Sequence, residues 1–270
     1  MTERLGIYKS KDLSNEDYHS DKYKDYLGST HLKTLSRSLE EYIFFVNCPE
    51  EFKKSKAMDM GSAIHCLVLE GFKKFFEEFK IRKKPRKNSF MGNGDTILSK
   101  EDFKKVSIWY RKLKMNPFSK QLLEAKNIQT ELSHFWEENG QKFKCRFDAL
   151  INKKIIVDLK TIENSYSENF DTFCNKQIAN MRYHVQAKHY LNGLRNLRGD
   201  EEKISFIFLF IEKSAPYRVA RKLLSEDILT FAQDEIDFAV NRYKQAKEDD
   251  YWLDEVNERI TMDDMPSYFK

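Results

Sequence analysis

The stretch Lys142 to Thr161, KFKCRFDALINKKIIVDLKT, limits the folds open to this 270-residue chain more than any other part of it. Phe143, Cys145, Phe147 and Ala149 alternate with Lys144, Arg146 and Asp148. A period of two belongs to a half-buried strand, here with Asp148 on the polar side. Asn152, Lys153 and Lys154 form a short polar connection. Ile155 to Lys160 is then apolar until Asp158, and residues two apart on a strand share a face, so Asp158 and Lys160 point the same way. Paired as a hairpin, the two strands bring Asp148 and Asp158 together beside Lys160. Two carboxylates and an ammonium in one place suit divalent-metal chemistry on phosphate: hard oxygen ligands hold Mg²⁺, and a lysine positions or helps deprotonate a water. Asp-x-Lys alone is also the pattern of an ordinary exposed ion pair, so its meaning depends on the rest of the chain.

The flanking sequence extends the sheet. Glu131 to Glu137, ELSHFWE, reads as a strand running into Asn139-Gly140, a strong hairpin signal, so a three-strand meander is expected. Lys203 to Ile211, KISFIFLFI, is an almost unbroken apolar run and reads as a central strand covered on both faces, with Tyr217 to Leu223 beside it.

Helical spacing supplies the outer layers. Ser29 or Thr30 caps a helix carrying Leu32, Leu35 and Leu39, and Cys48-Pro49 closes the next, with Tyr42, Phe44 and Phe45. One long helix is expected from about Met58 to Phe79, with Ile64, Leu67, Val68, Phe72, Phe75 and Phe76 on its apolar face and Gly61 and His65 a turn apart. A glycine there suggests close approach of another group. Residues 100 to 125 repeat the pattern with Phe103, Val106, Trp109, Tyr110 and Leu113, until Asn116-Pro117 interrupts it. Phe170 to Leu197 reads as helix, with Gln186 and Tyr190 one turn apart on one face. The last long helix, 225 to 247, carries Ile228, Phe231, Ile236, Phe238, Val240 and Tyr243, and an acidic stretch follows.

Composition narrows the class. Apolar residues at 40% and the absence of repeats or linkers favour one domain over 1–270. It divides into a helical part at about 1–125, a core at about 126–223, and a C-terminal helix with an acidic tail at 224–270. A net charge of +4, from 47 basic and 43 acidic side chains, neither demands nor excludes nucleic acid. The basic residues Lys80, Arg82, Lys83, Lys84, Arg86 and Lys87 gather in one segment, which reads either as a loop serving a polyanion or as a solvated surface loop. Cys48, Cys66, Cys145 and Cys174 are widely spaced and read as reduced thiols. No apolar leader and no membrane-length apolar run is present, so a soluble cytoplasmic protein is expected.

In order, the motifs are a helix with GxxxH (Gly61, His65), a strand with Glu131, a strand with R-x-D (Arg146, Asp148), a strand with D-x-K (Asp158, Lys160) and a helix with QxxxY (Gln186, Tyr190). This order resembles the PD-(D/E)xK nuclease superfamily and, within it, the RecB-like and phage-lambda-like exonucleases. The phrases LSNEDYHSDKY, GSTHLKTL and GSAIHCLVLE look closest to the RecE exonuclease VIII branch, and the likeness runs from about Leu13 to Leu194.

The resemblance implies an α/β nuclease core, a mixed central sheet flanked by helices. It implies Asp148, Asp158 and the Leu159 carbonyl as metal ligands with His65 on the metal side, and Lys160 at the attacking water or scissile phosphate. Glu131 takes a supporting acid's role, Gln186 and Tyr190 line the site, and Arg146 touches phosphate. Lys83, Lys84, Arg86 and Lys87 stand as further DNA-binding candidates. The implied cofactor is Mg²⁺ or Mn²⁺. Some RecB-like relatives hold an iron–sulfur cluster with one early cysteine and three after the QxxxY helix; Cys48 matches the early one, but no cysteine follows Cys174, so no such cluster is expected.

By the same resemblance the activity is 5′-to-3′ digestion of linear double-stranded DNA in phage or prophage recombination, by a homo-oligomer with a single-strand annealing protein as partner. Two alternatives stay open: a structure-selective or single-strand nuclease using the same site, and a non-catalytic nucleic-acid-binding protein on the same fold.

Overall fold

The computed structural model describes residues 6–10, 12–51, 55–82, 96–164, 168–198 and 203–254. The chain enters on a short strand, β1 (Gly6–Tyr8), and a helical turn, α1 (Asn15–Tyr18), before α2 (Ser29–Leu35), α3 (Leu39–Asn47) and α4 (Lys56–His65). A π-helical turn over Cys66–Glu70 leads into α5 (Gly71–Glu78), β2 (Phe79–Arg82), β3 (Thr96–Ser99), α6 (Lys100–Met115) and α7 (Pro117–Leu123). The long strands β4 (Ile128–Glu138), β5 (Gln141–Ile151) and β6 (Ile155–Ile162) come next. Then follow α8 (Phe170–Asn180), α9 (Tyr183–Arg198), β7 (Ser205–Glu212), β8 (Val219–Lys222) and α10 (Glu226–Asp249).

A six-stranded mixed sheet, in the order β1-β4-β5-β6-β7-β8, forms the middle layer. The meander β4-β5-β6 is antiparallel, as its turns require. Asn139 and Gly140 take φ of 50° and 73°, and Asn152 and Lys153 take 51° and 57°. Two positive φ values in a row are what the tightest hairpin turns demand, and asparagine tolerates them better than most residues. β7 lies parallel to β6 and so needs a crossover, which α8 and α9 supply. β8 returns antiparallel on its far side.

Helices cover both faces. Leu32, Leu35, Val185, Leu194, Ile236 and Tyr243 pack from α2, α9 and α10 onto one face, with Phe147, Phe206 and Phe208. Ile64, Phe75, Trp109 and Leu113 pack from α4, α5 and α6 onto the other, with Val157, Leu159 and Leu209. Asp254 ties the far end of the chain to its beginning. Its carboxylate accepts from Ser38 Oγ at 2.5 Å and from the Leu39 N–H at 2.8 Å, and it pairs with Arg242 at 2.7 Å.

The structure departs from the sequence-based expectations in several places. The single helix expected from Met58 to Phe79 is interrupted by the π turn and by Gly71 at φ 87°, and Phe79 already belongs to β2. That shift leaves Phe72 and Phe76 nearly half exposed while Phe75 is buried. Lys80 and Arg82 lie on β2, paired parallel with β3, rather than in a loop. The helix expected from Phe170 to Leu197 breaks at Met181 and Arg182, where Arg182 (φ 49°) and His184 both bind Glu235 of α10. Gly28, not Ser29 or Thr30, stands before the first turn of α2.

On α10 the buried stripe is Leu229, Ala232, Ile236, Ala239, Tyr243 and Ala246, while Phe231 and Phe238 are more than half exposed. Close packing against α9 and α2 favours alanine over the larger apolar side chains there. Alternation on β5 also slips: Phe143, Cys145 and Phe147 face one core, Ala149 and Ile151 the other. Glu131, opposite on β4, has a left-handed backbone at φ 52°, a conformation rare for a residue in mid-strand.

Candidate active site

β5 and β6 pair only between Ala149–Ile151 and Ile155–Val157. β6 stays on β7 along its whole length, so the sheet forks between β5 and β6 beyond Val157. A backbone N–H left in such a fork needs another acceptor. Asp148 Oδ2 takes the Leu159 N–H at 2.8 Å. Further along β5, Leu27 fills the edge: its N–H donates to the Lys142 carbonyl and its carbonyl accepts from the Lys144 N–H.

Asp158 and Lys160 emerge on one face of β6, as the strand period requires. Asp158 is 1% exposed. A carboxylate so far from water costs several kcal/mol unless it is paired. Gln186 Nε2 donates to its Oδ1 at 2.7 Å, and Lys160 Nζ lies 2.6 Å from its Oδ2. Gln186 reaches it because α9 lies close on the sheet. A Cβ on Gly193 would sit 3.0 Å from the Trp136 ring and 3.2 Å from Cys145 Sγ, so a glycine is needed at that crossing.

His65 closes α4 with Nε2 2.7 Å from the Leu159 carbonyl oxygen. A carbonyl only accepts, so Nε2 carries the proton. Burial, and then the Lys160 charge, hold this imidazole below its ordinary range and leave it neutral. Its Nδ1 lone pair therefore faces Asp148 Oδ2 across 3.6 Å. Arg146 donates to Glu131 at 2.8 Å and to Ser133 Oγ at 3.3 Å. Tyr190 is buried edge-on against Phe147.

A cavity of about 500 Å³ is lined by His65, Glu70, Glu131, Arg146, Asp148 and Tyr190, among others. Its acids crowd one another. Burial, and then the charge of Asp158, push the Asp148 carboxyl up to about 7. Glu131 is raised by burial and then by Asp148, and Glu70 by burial and then by Glu131. For Lys160 burial works the other way, but Asp158 and Asp148 outweigh it and raise the ammonium above its usual range.

The donor set fits a hard divalent cation. Asp148, Asp158 and the Leu159 carbonyl offer oxygens, the ligands Mg²⁺ and Mn²⁺ prefer. The facing lone pairs of His65 and Asp148 are an arrangement that a cation relieves. Cys66, Glu70 and Glu78 also bring ligand atoms within 4.8 Å of one another, on the same cavity.

Residues 28–258 match the family described as a PDDEXK-like domain of unknown function, DUF3799. The chain belongs to this PDDEXK-like family. Among curated proteins, none matches the chain by sequence. A solved structure from Eubacterium rectale, named "Putative exonuclease", superimposes with a TM-score of 0.67 at 18% identity, over 94% of this chain and 98% of that one. A second, SSO0001, gives a TM-score of 0.34 at 17% identity, over 82% of this chain and 80% of that one. The fold of the PDDEXK-like domain is thus the α/β nuclease core, a mixed sheet flanked by helices. No helix among its described residues is long and apolar enough to cross a membrane.

Around the fork the PDDEXK-like domain gathers His65, Glu131, Arg146, Asp148, Asp158, Leu159, Lys160, Gln186 and Tyr190. Lys83, Lys84, Arg86 and Lys87 lie outside the described residues. Gly61 is not required by close approach, since an added Cβ would meet Thr161 Oγ1 at an ordinary 3.8 Å. Two side chains reach the site that the motifs omit. Tyr183 places its ring 4.9 Å from Lys160 Nζ and 5.6 Å from Lys33 Nζ. Tyr183 stands three residues before Gln186, a spacing that shares a helix face, whereas nothing local in the sequence marks Lys33.

Proposed function

We propose that this PDDEXK-like domain is a metal-dependent DNA nuclease, an exonuclease that digests linear double-stranded DNA from 5′ to 3′. The observation that carries the reading is the fork, where Asp148, Asp158 and the Leu159 carbonyl converge beside the Lys160 ammonium. A Mg²⁺ or Mn²⁺ ion held by those three groups would supply Lewis acidity to the attacking water and the phosphate.

The chain's own side chains do the rest. Lys160 donates to the water or to a phosphate oxygen and offsets the negative charge that grows during hydrolysis. Gln186 fixes Asp158 through Oδ1 and so sets the direction of the other oxygen. His65, by donating to the Leu159 carbonyl, orients that group and brings Nδ1 to Asp148. Glu131, held by Arg146, stands next to Asp148 and helps position the water, and Arg146 lines the cavity through which phosphate would enter.

The motif order and the RecE-like phrases support the 5′-to-3′ mode. They also support a setting in phage or prophage recombination, in the cytoplasm of a bacterial or phage-infected cell. A homo-oligomer and a single-strand annealing partner belong to the same reading. The fold neighbour named "Putative exonuclease" is in keeping with action at ends.

The test is digestion of end-labelled linear duplex DNA with Mg²⁺ and with EDTA, beside Asp158→Ala and Lys160→Ala. Metal-dependent release of 5′-terminal nucleotides, lost in both variants while circular duplex survives, is the expected result. Cleavage of circular or single-stranded DNA would favour the structure-selective alternative. Binding without cleavage under any divalent metal would overturn the nuclease reading in favour of the binding protein.

A further inference from the structure

Lys33 belongs to α2, whose Leu32 and Leu35 are fully buried against the sheet. That anchoring leaves Lys33 half-buried at the face of the Tyr183 ring. The same ring carries Lys160 at 4.9 Å, so one aromatic face system serves two ammonium groups. An aromatic quadrupole attracts each cation but does nothing for the repulsion between them. The nearest candidate anion, Asp158, is already committed to Gln186 and Lys160 through its two oxygens. Among the described residues no carboxylate lies within ion-pairing distance of Lys33 Nζ. Lys33 is therefore a half-buried cation on the Tyr183 ring with no carboxylate of the described residues paired to it, beside a Lys160 whose charge Asp158 already meets.

We infer that Lys33 binds substrate, holding the phosphate next to the scissile one while Lys160 attends the scissile phosphate itself. This rests on the nuclease reading of the site. The ligand class is a polynucleotide backbone, in which the phosphate next to the scissile one would supply the negative charge that Lys33 lacks. Tyr183 acts as the spacer that keeps the two contacts distinct. The burial of Lys33, and then the charge of Lys160, bring its ammonium down to about 8, so the group gains from an anion that a surface lysine would not need. Lys33 also lies far ahead of the β-strand motifs in the chain, so α2 would become part of the substrate surface as well as of the core.

The experiment compares wild type, Lys33→Met and Lys33→Arg. Anisotropy of a labelled duplex in EDTA, between about 50 and 200 mM salt, gives the slope of log Kd against log salt. Initial rates in Mg²⁺ give kcat and KM. Lys33→Met should lower the salt slope by about one and raise KM about tenfold, with kcat changed far less. Lys33→Arg should recover most of both, because it restores the charge in a similar volume. An unchanged slope and KM in Lys33→Met, with wild type binding and cleaving normally, would overturn the assignment of Lys33 alone. The assignment also falls if Arg fails to rescue and the melting temperature drops equally in both variants, since the role would then be packing. A wild-type protein that neither binds nor cleaves DNA would overturn this inference together with the nuclease reading.

Discussion

Lys160 and Lys144 stand on neighbouring strands, both largely shut off from water, and their surroundings could hardly differ more. Lys160 meets carboxylates, Asp158 at 2.6 Å and Asp148 nearby, and its ammonium is stabilised above the usual range. Lys144 meets backbone and a ring instead: it donates to the carbonyls of Tyr18 and Tyr23 at 3.1 Å and lies over the Tyr18 ring. Burial brings it down to about 8. The difference separates chemistry from architecture. At the fork, charge is concentrated beyond what the fold requires. At the Lys144 end, each polar contact of the side chain ties the N-terminal segment to β5, as Leu27 also does, and His189 ties α9 to the same strand.

The widest expected divergence comes from giving both lysines the same replacement. Lys160→Met should cut DNA cleavage about 10²–10³-fold, the usual loss for one electrostatic donor at a reacting phosphate, and should also lower urea stability, since the buried Asp158 loses its ammonium. Lys144→Met should cost about 1–3 kcal/mol, as the Tyr18 carbonyl loses its donor while the Tyr23 carbonyl keeps the Tyr26 N–H, with kcat nearly intact. Equal effects on activity and stability in both variants would break the distinction.

Acid should sharpen it. Burial holds His189 and His31 down to about 4, against an unfolded value near 6.5. Between those values the unfolded chain binds protons that the folded chain refuses, so stability falls as pH drops through the window. For His189, 1% exposed and donating to the Lys144 carbonyl, the loss is on the order of 3 kcal/mol. Urea midpoints from pH 7 to 4 measure it, and His189→Asn should flatten the curve; an equally steep curve in that variant would locate the proton uptake elsewhere.

The smallest effect expected is that of Gly193→Ala, at about 1–2 kcal/mol of overpacking. Trp136 has little room to yield, being stacked on His134 and Phe143. Because α9 also carries Gln186, the variant should lose some activity as well as stability, joining the two regions. A fully active, fully stable Gly193→Ala would show that the helix can shift without reaching the site.

What could be read from the sequence followed from local rules. Period two and two tight turns placed β4, β5 and β6, and period two put Asp158 and Lys160 on one face. The divergence of β6 from β5 was not legible, because it depends on Leu27, from outside the hairpin, and on the Asp148 side chain taking over ladder hydrogen bonds. β1 escaped notice because three residues are too few to show a period. The face of α10 was misassigned for a related reason: its large aromatics point outward and its alanines inward, since distance to the neighbouring helices decides which size fits. Lys33 and Tyr183 meet only in the folded chain.

The contact between Asp254 and Ser38 closes a loop of 216 residues, and that separation bears on how the protein comes apart as much as on how it stands. A contact joining such distant positions orders much chain for little return until the rest is in place, so it belongs after the rate-limiting step of folding. An interaction absent from that barrier and present in the final state is expected to leave the folding rate alone and to slow escape. In kinetic terms Asp254 works as a latch, lengthening the lifetime of the assembled molecule.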